Sequence, residues 1–176
     1  ADSAGVDIIN SSLGYSEYDK HLGNYHQRDL DGKTAFISRT ASMLAKKGII
    51  LVNSAGNLGM GPWKKITFPA DADDILTVGV LNPKKENAPF CGVGPTQDKR
   101  VKPDVMALGS PAWLISGRGS LVRDMGTSFS TPILTSYPNL FSLSYSCSVN
   151  LIVTILQLGF SDFGLPIFAN QSAPSH

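Results

Sequence analysis

The run Gly126-Thr127-Ser128-Phe129-Ser130-Thr131-Pro132 combines what a nucleophilic serine needs. A serine hydroxyl attacks a carbonyl only if it is exposed and held beside a base. Gly126 lets the chain turn sharply with no Cβ in the way. Pro132 suits the first turn of a helix, where a missing N–H costs nothing. Ser128 then stands at a helix N-terminus, whose partial positive charge favours a developing oxyanion. Alone, the heptapeptide reads equally well as an ordinary helix cap. A second run, Ser54-Ala55-Gly56-Asn57-Leu58-Gly59, places a carboxamide between glycines. Asn57 is either a turn residue that tolerates the left-handed region or a side-chain donor to such an oxyanion.

The surrounding pattern predicts elements able to hold these runs. Residues 6–11 form a short apolar run closed by Ser12, Leu13 and Gly14, which predicts a buried strand feeding a turn. Residues 15–33 are polar and dotted with aromatics, and read as a surface loop. From Thr34, apolar residues recur at near-helical spacing until Lys46, Lys47 and Gly48, a helix stop with a dipole and glycine rationale. Residues 49–52 are a second buried strand that delivers the asparagine run. Strand, helix, strand implies a right-handed crossover and a parallel sheet. Further strands are predicted at residues 75–81 and 105–107, and a hairpin over 112–124.

Composition narrows the function classes. Of 176 residues, 42% are hydrophobic and 16% charged, which suits a globular core. The formal charge of +1 offers no electrostatic footprint for nucleic acid or an acidic membrane surface. Two cysteines, Cys91 and Cys147, make no disulfide framework and read as small buried residues.

The two runs and the elements between them fall in an order that resembles the subtilisin-like serine proteases, the subtilases of peptidase family S8. The resemblance covers residues 5–132. It implies an α/β fold: a three-layer, subtilisin-like arrangement around a mostly parallel central sheet, incomplete at its N-terminus. It puts Ser128 in the position of the nucleophile and Asn57 in that of the oxyanion donor, paired with the Ser128 backbone N–H. It implies that an extended peptide adds to the edge at Ser12, Leu13 and Gly14, so that affinity comes largely from main-chain hydrogen bonds. Ser12–Gly14 and Ser54, Ala55 and Gly56 would flank the pocket for the residue before the scissile bond, their small side chains leaving room for broad specificity. The family's structural calcium has no site placeable here, and Asp29, Asp31 and Gly32 lack the distal glutamate of a calcium loop. Asp29 and Asp31 instead read as preceding or capping the helix from Thr34, and Asp71, Asp73 and Asp74 as a solvated turn. Export, to the medium or the cell envelope, is what the resemblance implies for location.

The family's aspartate and histidine boxes both precede the segment that begins at Val6, and nothing before Asp7 resembles either. His21, His26 and His176 read as solvated histidines rather than substitute bases. The expectation is therefore an internal fragment of a serine endopeptidase, inactive alone, with a non-catalytic peptide-binding module as the alternative. An α/β-hydrolase is disfavoured because Ser130 stands where its nucleophile elbow needs glycine. From Met125 to Ser161 no side chain is charged. Residues 133–176 form a Ser/Leu-rich tail, interrupted early by the helix breaker Pro138. The tail reads as a shifted reading frame or a divergent C-terminus. Its most apolar stretch, residues 149–160, falls short of the ~20 residues a membrane span needs and is expected to be a buried helix or an ill-fitting tail.

Overall fold

A computed structural model describes residues 1–18, 23–136 and 151–153. His21, Cys147, Pro138, His176 and most of the predicted tail lie outside these. The chain runs through β1 (Ile8–Ser11), α1 (Phe36–Ala45), β2 (Ile50–Ser54), β3 (Leu76–Leu81), β4 (Val105–Leu108), β5 (Ala112–Ile115), β6 (Leu121–Asp124), α2 (Thr127–Thr135) and β7 (Leu151–Val153). One sheet has the order β4-β3-β2-β1-β7, with every neighbouring pair parallel. The predicted hairpin forms separately as the antiparallel pair β5-β6.

Strand register explains the layering. Successive strand side chains face opposite sides. Ile8, Val52 and Val78 share one side and pack with Leu134 of α2. Ile9 and Leu51 share the other and pack with Ala41 and Leu44 of α1. The helices therefore cover opposite faces, giving the three layers. Polar residues are buried under α2 as well. Asn10 of β1 is fully buried, and its Oδ1 accepts a hydrogen bond from Thr135 Oγ1 at 3.0 Å.

Several local expectations change. The helix starts at Phe36 rather than Thr34, because the Asp31 carboxylate accepts from Lys33 N, Thr34 N and Thr34 Oγ1 in a turn just upstream. Asp29 caps a separate 3-10 turn at Gln27–Asp29, where it accepts from His26 N. The predicted surface loop is partly core. Leu30 is buried, and Tyr25 packs on Phe68 in a chain of rings that also includes Tyr15, Tyr18 and Trp63. Residues 151–153, within the stretch expected to be a helix or an ill-fitting tail, form edge strand β7 beside β1.

Asp71 is buried rather than solvated. Its carboxylate accepts from Gly32 N at 2.8 Å and Ser38 Oγ at 2.6 Å. Burial pushes its carboxyl above the usual range, and those hydrogen bonds and the Arg100 charge offset this only in part. Folded Asp71 thus keeps its proton to higher pH than the unfolded chain does. Its contribution to stability is largest below the ordinary value of 3.8 and falls as pH rises through the raised one. Urea midpoints taken upward from about pH 4 should therefore decline in the wild type relative to Asp71→Asn. A constant difference between the two would refute this assignment.

Candidate active site

Ser128 is the second residue of α2, in the turn whose N–H groups have no carbonyl to bond within the helix. Each first-turn group has a distinct fate. Thr127 N donates to Asn57 Oδ1 at 2.9 Å, and Phe129 N donates to Gly126 O at 3.1 Å. Ser128 N has no internal acceptor among the described residues.

Pro132 lies inside the helix, not in its first turn as expected. Lacking an N–H, it cannot donate to the Ser128 carbonyl four residues back. That carbonyl accepts instead from Ser12 Oγ at 2.9 Å. The proline thus frees an acceptor that ties the Ser128 backbone to the end of β1. Ser128 Oγ faces the Ser12 carbonyl at 3.5 Å, and no titratable base contacts it among the described residues.

Asn57 follows β2 in the loop that starts at Ala55. Its Oδ1 accepts two hydrogen bonds at 2.9 Å, from Thr127 N and Thr127 Oγ1. With the oxygen occupied, Nδ2 has no acceptor among the described residues. Gly126 adopts an extended backbone that any residue could take, so its role is not the sharp turn expected. A Cβ there would lie 3.4 Å from Asn57 Nδ2, so the glycine keeps that donor uncovered.

Thr127 was not singled out by the sequence. Its hydroxyl accepts from Gly56 N at 3.3 Å and donates to Asn57 Oδ1. It is a positioning residue that couples the loop after β2 to α2. The Gly-Thr-Ser run contained it, but only the fold shows where its lone pairs point.

The predicted substrate edge divides into two kinds of backbone. Gly14 N–H and C=O have no partner among the described residues, whereas Leu13 O accepts from Ser54 Oγ at 3.2 Å. On the other side, Ala55 N donates to Val78 O and Ala55 O accepts from Thr67 N. Gly56 O accepts from Gly92 N. Ala55 and Gly56 can line a pocket but have no main-chain groups left for a peptide. The room beside Gly14 and Gly56 is filled: a Cβ at Gly14 would stand 3.2 Å from Thr67 Cβ, and one at Gly56 2.9 Å from Thr67 Cγ2.

The family model described as "Subtilase family" matches residues 1–137. The chain belongs to the subtilases. Subtilisin DY of Bacillus licheniformis is 29% identical over 145 residues, which are 77% of this chain and 45% of that protein. Among solved structures, the patellamide maturation protease PatA aligns with a TM-score of 0.54 and 26% identity, over 76% of this chain and 43% of that one. The PatG macrocyclase in complex with peptide shares the fold, with a TM-score of 0.53 and 19% identity over 76% of this chain and 36% of that one. This subtilase chain spans less than half the length of these relatives.

Other polar clusters serve the scaffold. Arg100 holds Asp98 at 2.8 Å, Asp73 at 3.0 Å and the Asp71 carbonyl at 2.8 Å. Cys91 is buried in the core, where burial pushes its thiol up and the backbone N–H of Val80 only partly offsets this. No described helix is long and apolar enough to cross a membrane.

Proposed function

We propose that residues 1–132 are the nucleophile- and oxyanion-bearing portion of a serine endopeptidase that acts through an acyl-enzyme. Residues 133–176 are an atypical tail to it. The observation that carries this reading is the pairing at the first turn of α2. Among the described residues, neither Ser128 N–H nor Asn57 Nδ2 has an acceptor there, beside the Ser128 hydroxyl. Attack by Ser128 Oγ on a peptide carbonyl places negative charge on the carbonyl oxygen, and two preorganised donors stabilise it more than water does. The peptide itself docks along Gly14, whose main-chain groups are open to strand addition. Location at the cell exterior or envelope belongs to the same proposal, as does the absence of a nucleic-acid or membrane partner. No cofactor is invoked.

Ser128 faces a carbonyl rather than a base, so these 176 residues alone should not hydrolyse peptides. The arrangement also favours a second reading for the isolated chain, that of a peptide-binding module with an idle serine. A fluorophosphonate probe separates the two readings. The chain alone should stay unlabelled. The same chain joined behind the aspartate- and histidine-bearing segment of subtilisin DY should label at Ser128 and cleave casein, with Ser128→Ala doing neither. Labelling of the isolated chain would overturn the prediction of inactivity. An unlabelled joined chain that still binds peptides would leave the module reading.

A further inference from the structure

From β1 to β4 the sheet grows in one direction, each strand beside the one before it in sequence. The exception is β7, which comes last in the chain and lies on the opposite side of β1. β1 has the character of an interior strand. Ile8 and Asn10 are buried on the α2 side, and Ile9 packs on the α1 side. A strand covered on both faces makes a poor edge, since its open N–H and C=O groups invite another strand. Consecutive strands of a sheet are usually neighbours, so the outer edge of β1 is also where a strand preceding it would pair.

That edge leads directly to the serine. Ser12 follows β1; its Oγ donates to Ser128 O at 2.9 Å, and Ser128 Oγ faces the Ser12 carbonyl at 3.5 Å. In open parallel sheets, ligands meet the carboxyl ends of the strands. A strand paired in parallel with β1 runs about 4.8 Å from it, so its own carboxyl end emerges beside Ser12 and Ser128. A base can therefore be brought to Ser128 Oγ from this edge. In this chain β7 holds it, with Leu151, Ile152 and Val153 opposite Ile8, Ile9 and Asn10. The residues after β7 are Thr154, Ile155, Leu156 and Gln157, none of them a base. β7 thus fills the place without supplying the group. Its grip is short, because β2 pairs with all four residues of β1 while the pairing with β7 stops at Asn10.

We infer that the outer edge of β1 is the docking edge for the base-bearing segment of this subtilase, arriving as a parallel strand, and that β7 of the chain's own tail competes for it. The two cannot bond the same N–H and C=O groups at once, so the tail keeps the serine idle until it is displaced. The inference rests on the proposed nucleophile and adds a means of regulating it.

Amide hydrogen exchange, read residue by residue by NMR, tests the competition without requiring turnover. The full chain alone is compared with the same chain joined behind the aspartate- and histidine-bearing segment of subtilisin DY. Amides among residues 151–153 should be protected in the chain alone and lose on the order of tenfold of that protection on joining. Those of residues 51–53 in β2 should stay protected in both, which shows that the sheet is folded. Leu151→Pro combined with Ile152→Pro removes donors in both phases of the ladder. In the joined protein this variant should react with the fluorophosphonate on the order of tenfold faster, because the edge is no longer contested. Protection of residues 151–153 that persists on joining, its absence from the chain alone, or equal and measurable labelling rates with and without the prolines would overturn the inference. Loss of protection on joining, in a protein that labels in neither form, would uphold the docking edge and refute the proposed nucleophile instead.

Discussion

Asn57→Ala is expected to lower turnover by ~10²–10³-fold in the joined, base-containing protein, a magnitude known from the corresponding donor in subtilisin itself. The change should fall on kcat and leave KM nearly unaltered. On the proposed function, Asn57 Nδ2 meets charge that exists only once the carbonyl has been attacked, and an interaction made only in the transition state does not contribute to substrate binding. Asn57→Asp is the informative companion. Its carboxylate could still accept from Thr127 N and Thr127 Oγ1, so the loop would keep its place. It would, however, present an acceptor where a donor is needed, and activity should fall at least as far as in the alanine variant. Steady-state kinetics with urea midpoints separate chemistry from stability. A variant that loses KM and keeps kcat would show that Asn57 serves the substrate rather than the oxyanion.

The second large effect is structural. Lys102 is 7% exposed, and its ammonium bonds Asp104 Oδ2 at 2.7 Å, Thr77 Oγ1 at 3.1 Å and the Ile75 carbonyl at 3.4 Å. It fastens the start of β4 to the start of β3, the strand against which β2 and the Asn57 loop are built. Asp104 also accepts from Thr77 N at 2.7 Å and is partly exposed. Removing the lysine therefore leaves a carboxylate that is neither fully paired nor fully buried. Lys102→Ala should cost about 2–3 kcal/mol, less than the loss typical of a completely buried pair. That is a sizeable share of a domain's usual stability of about 5–15 kcal/mol. Lys102→Met with Asp104→Leu, which removes both charges and keeps bulk, should recover most of it. A double variant no more stable than the single one would show that the strand starts depend on the charges themselves. Thermal melts followed by circular dichroism provide the comparison.

Much of this architecture was legible because it rests on patterns a chain carries locally. The apolar runs at residues 6–11 and 49–52, separated by a helical stretch, required a crossover, and β1 and β2 pair in parallel accordingly. The hairpin over 112–124 was legible from its central glycines. The sequence pairs Ser128 with Asn57 through the company they keep, and the structure seats Asn57 against Thr127, the residue before Ser128 in α2.

What escaped depends on contacts between distant segments. Asp71 looked like part of an acidic turn, since nothing near it in sequence reveals Gly32 N and Ser38 Oγ as its partners. Pro132 was placed in a first turn because its freed acceptor is answered by Ser12, 116 residues before Ser128. The roominess inferred from Gly14 and Gly56 failed because a glycine shows only that something comes close, not what, and here it is Thr67.

The Thr127 hydroxyl has a consequence for the order in which this protein acquires competence. Asn57 and Thr127 are 70 residues apart, and the amide is aimed only while helix α2 is seated against the sheet. The bond from Gly56 N to Thr127 Oγ1 closes the same clasp. A chain still condensing, or one locally opened at α2, has its serine but not the aimed amide. On the proposed function, the paired donors exist only after tertiary completion, so a half-folded copy lacks them.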